Sequence, residues 1–155
     1  VTTERRDDLT LGPAGDFMRR LWRLSHAMER VSKQMEARLG VTSQQRMLIR
    51  CVGKYPGLTA GQLASLLHLD AGTVSTALGR LEARGLLVRR RDARDARRVS
   101  LGLTSAGRAL DGAREGTVER LVELALRASP EAELEPTTRV LTQLAERLEG
   151  ALEHE

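Results

Sequence analysis

LTAGQLASLLHLDAGTVSTALGRLEARGLLVRR, from Leu58 to Arg90, holds two short helical patterns separated by a tight turn and runs into a string of arginines. In the first pattern Thr59 is placed to cap, Gln62 stands three residues beyond it as a capping box requires, and Leu63, Leu66 and Leu67 face inward. His68-Leu69-Asp70 makes the turn. Asp70 or a neighbour caps the second helix, predicted over residues 71–84 and ended by Gly85. There Val74, Ala77, Leu78 and Leu81 recur at steps of three and four. At roughly 100° per residue, Gly72, Thr73, Thr76, Gly79 and Arg80 fall on the opposite side, which is small and polar.

Upstream, Thr42 to Lys54 carries Met47, Leu48, Cys51 and Val52 on another short helix, stopped by Tyr55-Pro56-Gly57. Before it, Asp16 is placed to cap a long amphipathic helix ending at Gly40, with Phe17, Leu21, Leu24, Met28, Val31, Met35 and Leu39 on one stripe. Residues 1–15 hold no sustained period, end in Gly12-Pro13-Ala14-Gly15, and read as a frayed arm. Downstream, Leu86-Leu87-Val88, the arginine-rich residues 89–98, and Val99, Leu101 and Leu103 alternating with Ser100 and Gly102 predict a two-stranded hairpin with a projecting basic tip. Thr104 starts a further helix that reaches the break at Ser129-Pro130. A last helix is predicted from about Leu134 to Leu152.

Composition agrees with this reading. The 155 residues include 26 leucines but only 2% aromatics, which favours leucine-packed helices and a mainly α fold with a small β-hairpin wing. The length leaves no room for a large multidomain enzyme. The net charge of +4 conceals segregation: residues 80–98 hold eight arginines against Glu82, Asp92 and Asp95, whereas residues 99–155 carry a net charge of −5. A concentrated basic band calls for an anionic partner. The lone Cys51 forms no internal disulfide framework, and no secretory leader or bilayer-spanning run is evident, so a soluble cytoplasmic protein is expected. No nucleotide-binding, hydrolase or zinc-protease motif occurs, and His26, His68 and His154 are scattered. Accordingly no catalytic residue, metal site or cofactor is expected.

Two short helices followed by a basic hairpin form a winged helix-turn-helix. The 71–84 helix suits a major groove: Arg80 can bond two acceptors of guanine, and Thr73 and Thr76 can bond phosphate or touch a thymine methyl beside Gly72. Arg94 and Arg97, with Arg98 adjacent, are placed to probe a minor groove from the wing, residues 89–101. The free amides near Thr59 to Gly61 and at Ala71 to Thr73 can hold phosphates. Plainer readings stand beside these. The threonines could be ordinary solvent-facing residues, Arg80 could pair with Glu82 or Asp92, and the basic wing could meet an acidic protein or membrane surface.

From residue 16 to 152 the chain resembles the MarR family of winged-helix transcriptional regulators. The resemblance rests on Thr42-Ser-Gln-Gln, on TVSTALGRLEARGLLVR (Thr73 to Arg89) and on Asp95-Ala96-Arg97 before Leu103-Thr104. It implies a homodimeric, ligand-responsive repressor on a pseudo-palindromic double-stranded DNA operator. Residues 16–40 and 104–155 would dimerise, around a DNA-binding region at 41–103. Arg97 would enter the minor groove and Asp95 would orient the wing by pairing with an arginine. A small aromatic effector would bind in a cleft with Trp22, His26, Met47 and Arg50 on its walls. Cys51 lies on an apolar stripe of the second helix, whereas the peroxide-sensing branch carries its reactive cysteine near the start of the first, so a buried inert thiol is the expectation.

Overall fold

A computed structural model describes residues 10–91, 95, 97–112 and 114–152. The chain divides into two compact units, Val1–Val118 and Glu119–Glu155. The first contains α1 (Gly12–Leu39), α2 (Ser43–Lys54), α3 (Ala60–Leu67), α4 (Ala71–Ala83), β1 (Leu87–Arg91), β2 (Val99–Leu103) and α5 (Ser105–Asp111). Then come α6 (Val118–Ala128) and α7 (Glu131–Leu152). No helix among the described residues is long and apolar enough to cross a membrane.

Local chemistry sets the ends of the short helices. Thr42 and Thr59 both close capping boxes: the Thr42 hydroxyl accepts from the Gln45 N–H at 3.2 Å, and the Gln45 side chain accepts from the Thr42 N–H at 3.2 Å. Thr59 and Gln62 repeat the arrangement at 3.2 and 3.0 Å. At the far end of α3, the Leu69 N–H reaches the Ala64 carbonyl and the His68 N–H reaches Ser65, with His68 left-handed at φ 50°. This is the turn geometry that glycine usually supplies. α4 ends the same way, with Gly85 at φ 66° and Leu86 donating to Leu81.

One apolar cluster holds the first unit together. Leu48, Ile49 and Val52 of α2, Leu63 of α3, and Val74, Leu78 and Leu81 of α4 are at most 2% exposed, and Leu87, Leu101 and Leu103 of the hairpin close over them. Full burial of a leucine contributes about 2 kcal/mol. The hairpin pairs antiparallel from Leu87↔Leu103 at its base to Arg91↔Val99 at its outer end. A bridge between Thr59 and Ser100, and a 2.7 Å bond from the Leu101 N–H to the Leu58 carbonyl, fasten it to the start of α3.

Four boundaries differ from the sequence reading. α1 begins at Gly12, inside the expected arm, because Pro13 needs no N–H in a first turn. Asp16, expected to cap, lies within that helix and accepts from the Thr10 hydroxyl at 2.8 Å and the Leu11 N–H at 3.3 Å. The single helix expected from Thr104 to Ser129 is broken into α5 and α6, with Gly116 at φ 69° in between. α7 starts at Glu131, so Pro136 lies within it.

The break after α5 is held by a feature that periodicity does not disclose. Arg46, 0% exposed, donates from α2 to the Leu110 carbonyl and, at 2.6 Å, to the Gly112 carbonyl. Arg50 donates to the Asp111 carbonyl and pairs with its carboxylate at 3.6 Å. These guanidiniums satisfy carbonyls that the end of a helix leaves unpaired. Nearby, Arg38 of α1 donates to the Glu115 and Gly116 carbonyls at 3.0 and 3.1 Å.

In α1 only Met35 is buried, while Phe17, Met18, Trp22, Leu24 and Met28 remain 39–58% exposed. In the second unit Leu121, Leu124, Leu126, Val140, Leu141, Leu148 and Leu152 are all more than 40% exposed, and α7 buries no residue.

Arg46→Ala is expected to lower unfolding free energy by about 2–4 kcal/mol, since it empties a fully buried site and leaves the carbonyls at the end of α5 without their donor. Urea denaturation measures this, and a loss below about 1 kcal/mol would contradict the capping role. In the same assay, His68→Gly should raise stability by about 0.5–1 kcal/mol by relieving left-handed backbone strain. A loss of stability would contradict that origin.

Candidate nucleic-acid interface

The rotation of α4 about its axis follows from its buried stripe: Val74, Ala77, Leu78 and Leu81 lie against the core, so Gly72, Thr76, Gly79 and Arg80 are exposed and Thr73 is half-buried. The Arg80 guanidinium makes no hydrogen bond or ion pair with a described residue. Its suggested partner Glu82 is instead held by Arg89 at 3.2 Å, and Asp92 lies outside the described residues. A fork of five N–H donors is therefore left on the outer face of the helix.

Thr73 is committed differently. Its N–H donates to Asp70 at 2.7 Å and its hydroxyl donates to the other oxygen of the same carboxylate. These bonds, the hydroxyl's first, hold the Asp70 carboxyl below its ordinary value. Thr73 thus presents its methyl group, while Thr76 keeps a free hydroxyl. At the other end of α4, the Arg84 guanidinium donates to the Gly40 carbonyl, tying this helix to the end of α1.

The wing stands beside this face. Arg89, Arg90 and Arg91 at the end of β1 and Arg97 and Arg98 before β2 are all exposed. Asp95 accepts the Arg97 N–H at 3.0 Å on its side chain and the Arg98 N–H at 2.9 Å on its carbonyl. Among the described residues Asp95 engages two backbone amides of the wing. Arg94 lies outside the described residues. At the start of α3, Gly61 is exposed and Thr59 half-buried, and the Thr59–Ser100 bridge joins this end to the wing.

The suggested effector residues form two groups. Trp22 and His26 line a shallow groove on α1 with Arg19, Arg23 and Arg30. Met47 and Arg50 line another with Cys51, Lys54, Tyr55 and Leu66. Burial pushes the Cys51 thiol up, against the opposing pull of Lys54 and Arg50, which reduces its reactive thiolate. Among the described residues no three His, Cys, Asp or Glu side chains cluster to hold a metal ion.

Sequence reasoning missed a cleft beside α4, walled by Glu36, Thr42, Gln44 and Gln45 facing Thr73, Thr76 and Arg80. Its first wall lies some thirty residues upstream of its second, so no local motif signals it.

Residues 39–98 match the model of the MarR family. The chain is 38% identical over 88 residues to the HTH-type transcriptional regulator TtmR of Methylorubrum extorquens (strain PA1), covering 57% of this chain and 45% of that protein. It is 31% identical over 87 residues to the organic hydroperoxide resistance transcriptional regulator of Bacillus subtilis (strain 168), covering 56% and 59%. The matched part thus spans about half the length of these curated relatives. In structure it is similar to S. aureus MepR, solved in complex with DNA, with a TM-score of 0.72, 27% identity, and coverage of 85% of this chain and 97% of that one.

The Asp70 cap has a defined pH dependence. A carboxyl whose folded value is depressed contributes stability above its unfolded value and loses that contribution as pH falls through the folded value. Asp70→Asn should therefore flatten the acid limb of stability against pH, measured by urea denaturation from about pH 7 to about pH 2. Parallel acid limbs in the two proteins would contradict this account of the cap.

Proposed function

We propose that this chain is a MarR-family regulator of transcription, homodimeric and sequence-specific, that binds double-stranded DNA; the match of residues 39–98 to the family model and the winged helix-turn-helix fold support this. The observation that carries this reading is the free Arg80 on the smooth outer face of α4, next to a hairpin bearing five described, exposed arginines. α4 enters the major groove, where Arg80 reads a guanine, Thr76 bonds a base edge or phosphate, and Gly72 and Gly79 allow close approach. The wing follows the adjacent minor groove with Arg97 foremost and Arg98 on the phosphates, in a turn shaped by Asp95. The amides at the start of α3, by Thr59 and Gly61, hold a backbone phosphate. The likeness to a MepR structure solved with DNA supports this arrangement, and the curated relatives are transcriptional regulators rather than enzymes.

The homodimer is supported by apolar surface that one chain leaves open: Trp22 is 58% and Leu24 53% exposed on α1, and Leu148 62% on α7. A second copy with these helices buries such faces, spaces two α4 helices for a pseudo-palindrome, and accounts for 16–40 and 104–155 as dimerisation segments flanking 41–103. The protein acts in the cytoplasm as a repressor. A small aromatic effector of that repression contacts Trp22 and His26 of one chain, or Met47 and Arg50, and shifts the separation of the two α4 helices.

Selection of bound duplexes from a random pool should return inverted half-sites about 10–10.5 base pairs apart, or a multiple. On that site Arg80→Ala should cost about 1–3 kcal/mol and blur preference at one base step. An equal loss on every duplex would make Arg80 a phosphate contact. Arg97→Ala should weaken binding most where the flanking minor groove is A·T-rich. Failure to enrich any duplex would overturn the DNA reading.

A further inference from the structure

The capping box at the start of α2 leaves one group unused. Only the side-chain carbonyl of Gln45 can accept the Thr42 N–H, and it does so at 3.2 Å, so the amide NH2 is turned the other way. That NH2 donates to no described residue, although Gln45 is only 9% exposed. The side chain lines the cleft whose opposite wall is Thr76 and Arg80 of α4. No buried side-chain N or O among the described residues lacks a partner, so this NH2 faces the open cleft, where an incoming acceptor can replace water on it.

We propose that this cleft seats a backbone phosphate of the bound duplex, with the Gln45 amide and the Thr76 hydroxyl as its donors, beside the positive charge of the base-reading Arg80. The proposal rests on the DNA-binding reading and deepens it, adding α2 to the contact surface. A helix lying in a major groove is flanked by the two phosphate strands, so a donor-lined cleft beside α4 meets one of them. Glu36 stands at the α1 side of the cleft with an exposed carboxylate, which repels an anion from that side and confines it toward Arg80. The order of walls thus selects a phosphate near α4.

Gln45→Glu tests the assignment without dismantling the fold, because glutamate closes the same capping box with a carboxylate oxygen while replacing the donor by negative charge. Binding of wild type and variant is measured on the preferred duplex and on copies carrying a single uncharged methylphosphonate at each backbone position in turn. The expected result is a loss of about tenfold for Gln45→Glu on the unmodified duplex, similar for every sequence and still present at raised salt. At one phosphate per half-site the two changes should be non-additive, the variant losing little or nothing more once that charge is gone. Additive losses at every position, or a loss that disappears as salt screens long-range charge, would overturn the phosphate seat while leaving the DNA-binding reading intact. If wild type binds no duplex, both fall together. An unchanged urea midpoint for Gln45→Glu shows that the comparison reads contact and not unfolding.

Discussion

The burial of Val74, Ala77, Leu78 and Leu81 against α2, α3 and the hairpin fixes which way α4 faces. A helix rolled by one residue, about 100°, would pull Leu78 and Leu81 out of the core and drive polar groups in, at a cost of several kcal/mol. Everything functional follows from that roll. Gly72, Thr76, Gly79 and Arg80 are outward because the leucines are inward, and the outer face is smooth because two of its positions lack side chains. The hairpin obeys the same core: Leu87, Leu101 and Leu103 anchor its base, so its arginine-bearing end is the part left projecting.

Around this apolar core lies a set of arginine-to-carbonyl tethers. Arg46 and Arg50 of α2 close the end of α5, Arg38 of α1 holds the Glu115–Gly116 turn, and Arg84 of α4 reaches the end of α1. A guanidinium satisfies several carbonyls at once and keeps its charge when desolvated, which suits it to joints where helices end against one another. Through Arg84 the helix that bears Arg80 is tied directly to the end of α1.

Charge is divided by task. Glu82 absorbs Arg89, Asp95 is spent on wing backbone, and Asp70 on the cap of α4, so these three acids are engaged locally while the Arg80 guanidinium makes no bond to a described residue. The acidic excess lies beyond residue 99, and in the second unit Glu123 is held by Arg120 and Arg127 at 2.9 and 2.6 Å.

The sequence by itself determined the helix-turn-helix, its cap at Thr59, a cap at or beside Asp70, the inward and outward faces of α4, and the hairpin. Each of these is a local matter of period or of a capping side chain a few residues from its target. It also marked the apolar stripe of α1 as needing a cover. Tertiary structure alone decided the division of the Thr104–Ser129 segment into two helices, the commitment of the Thr73 hydroxyl to Asp70, the tethers from Arg46 and Arg84, and the cleft that sets Gln45 opposite Arg80. These depend on groups brought together across tens of residues by the packing of the core, and a guanidinium carries no periodic signature of the carbonyl it will meet.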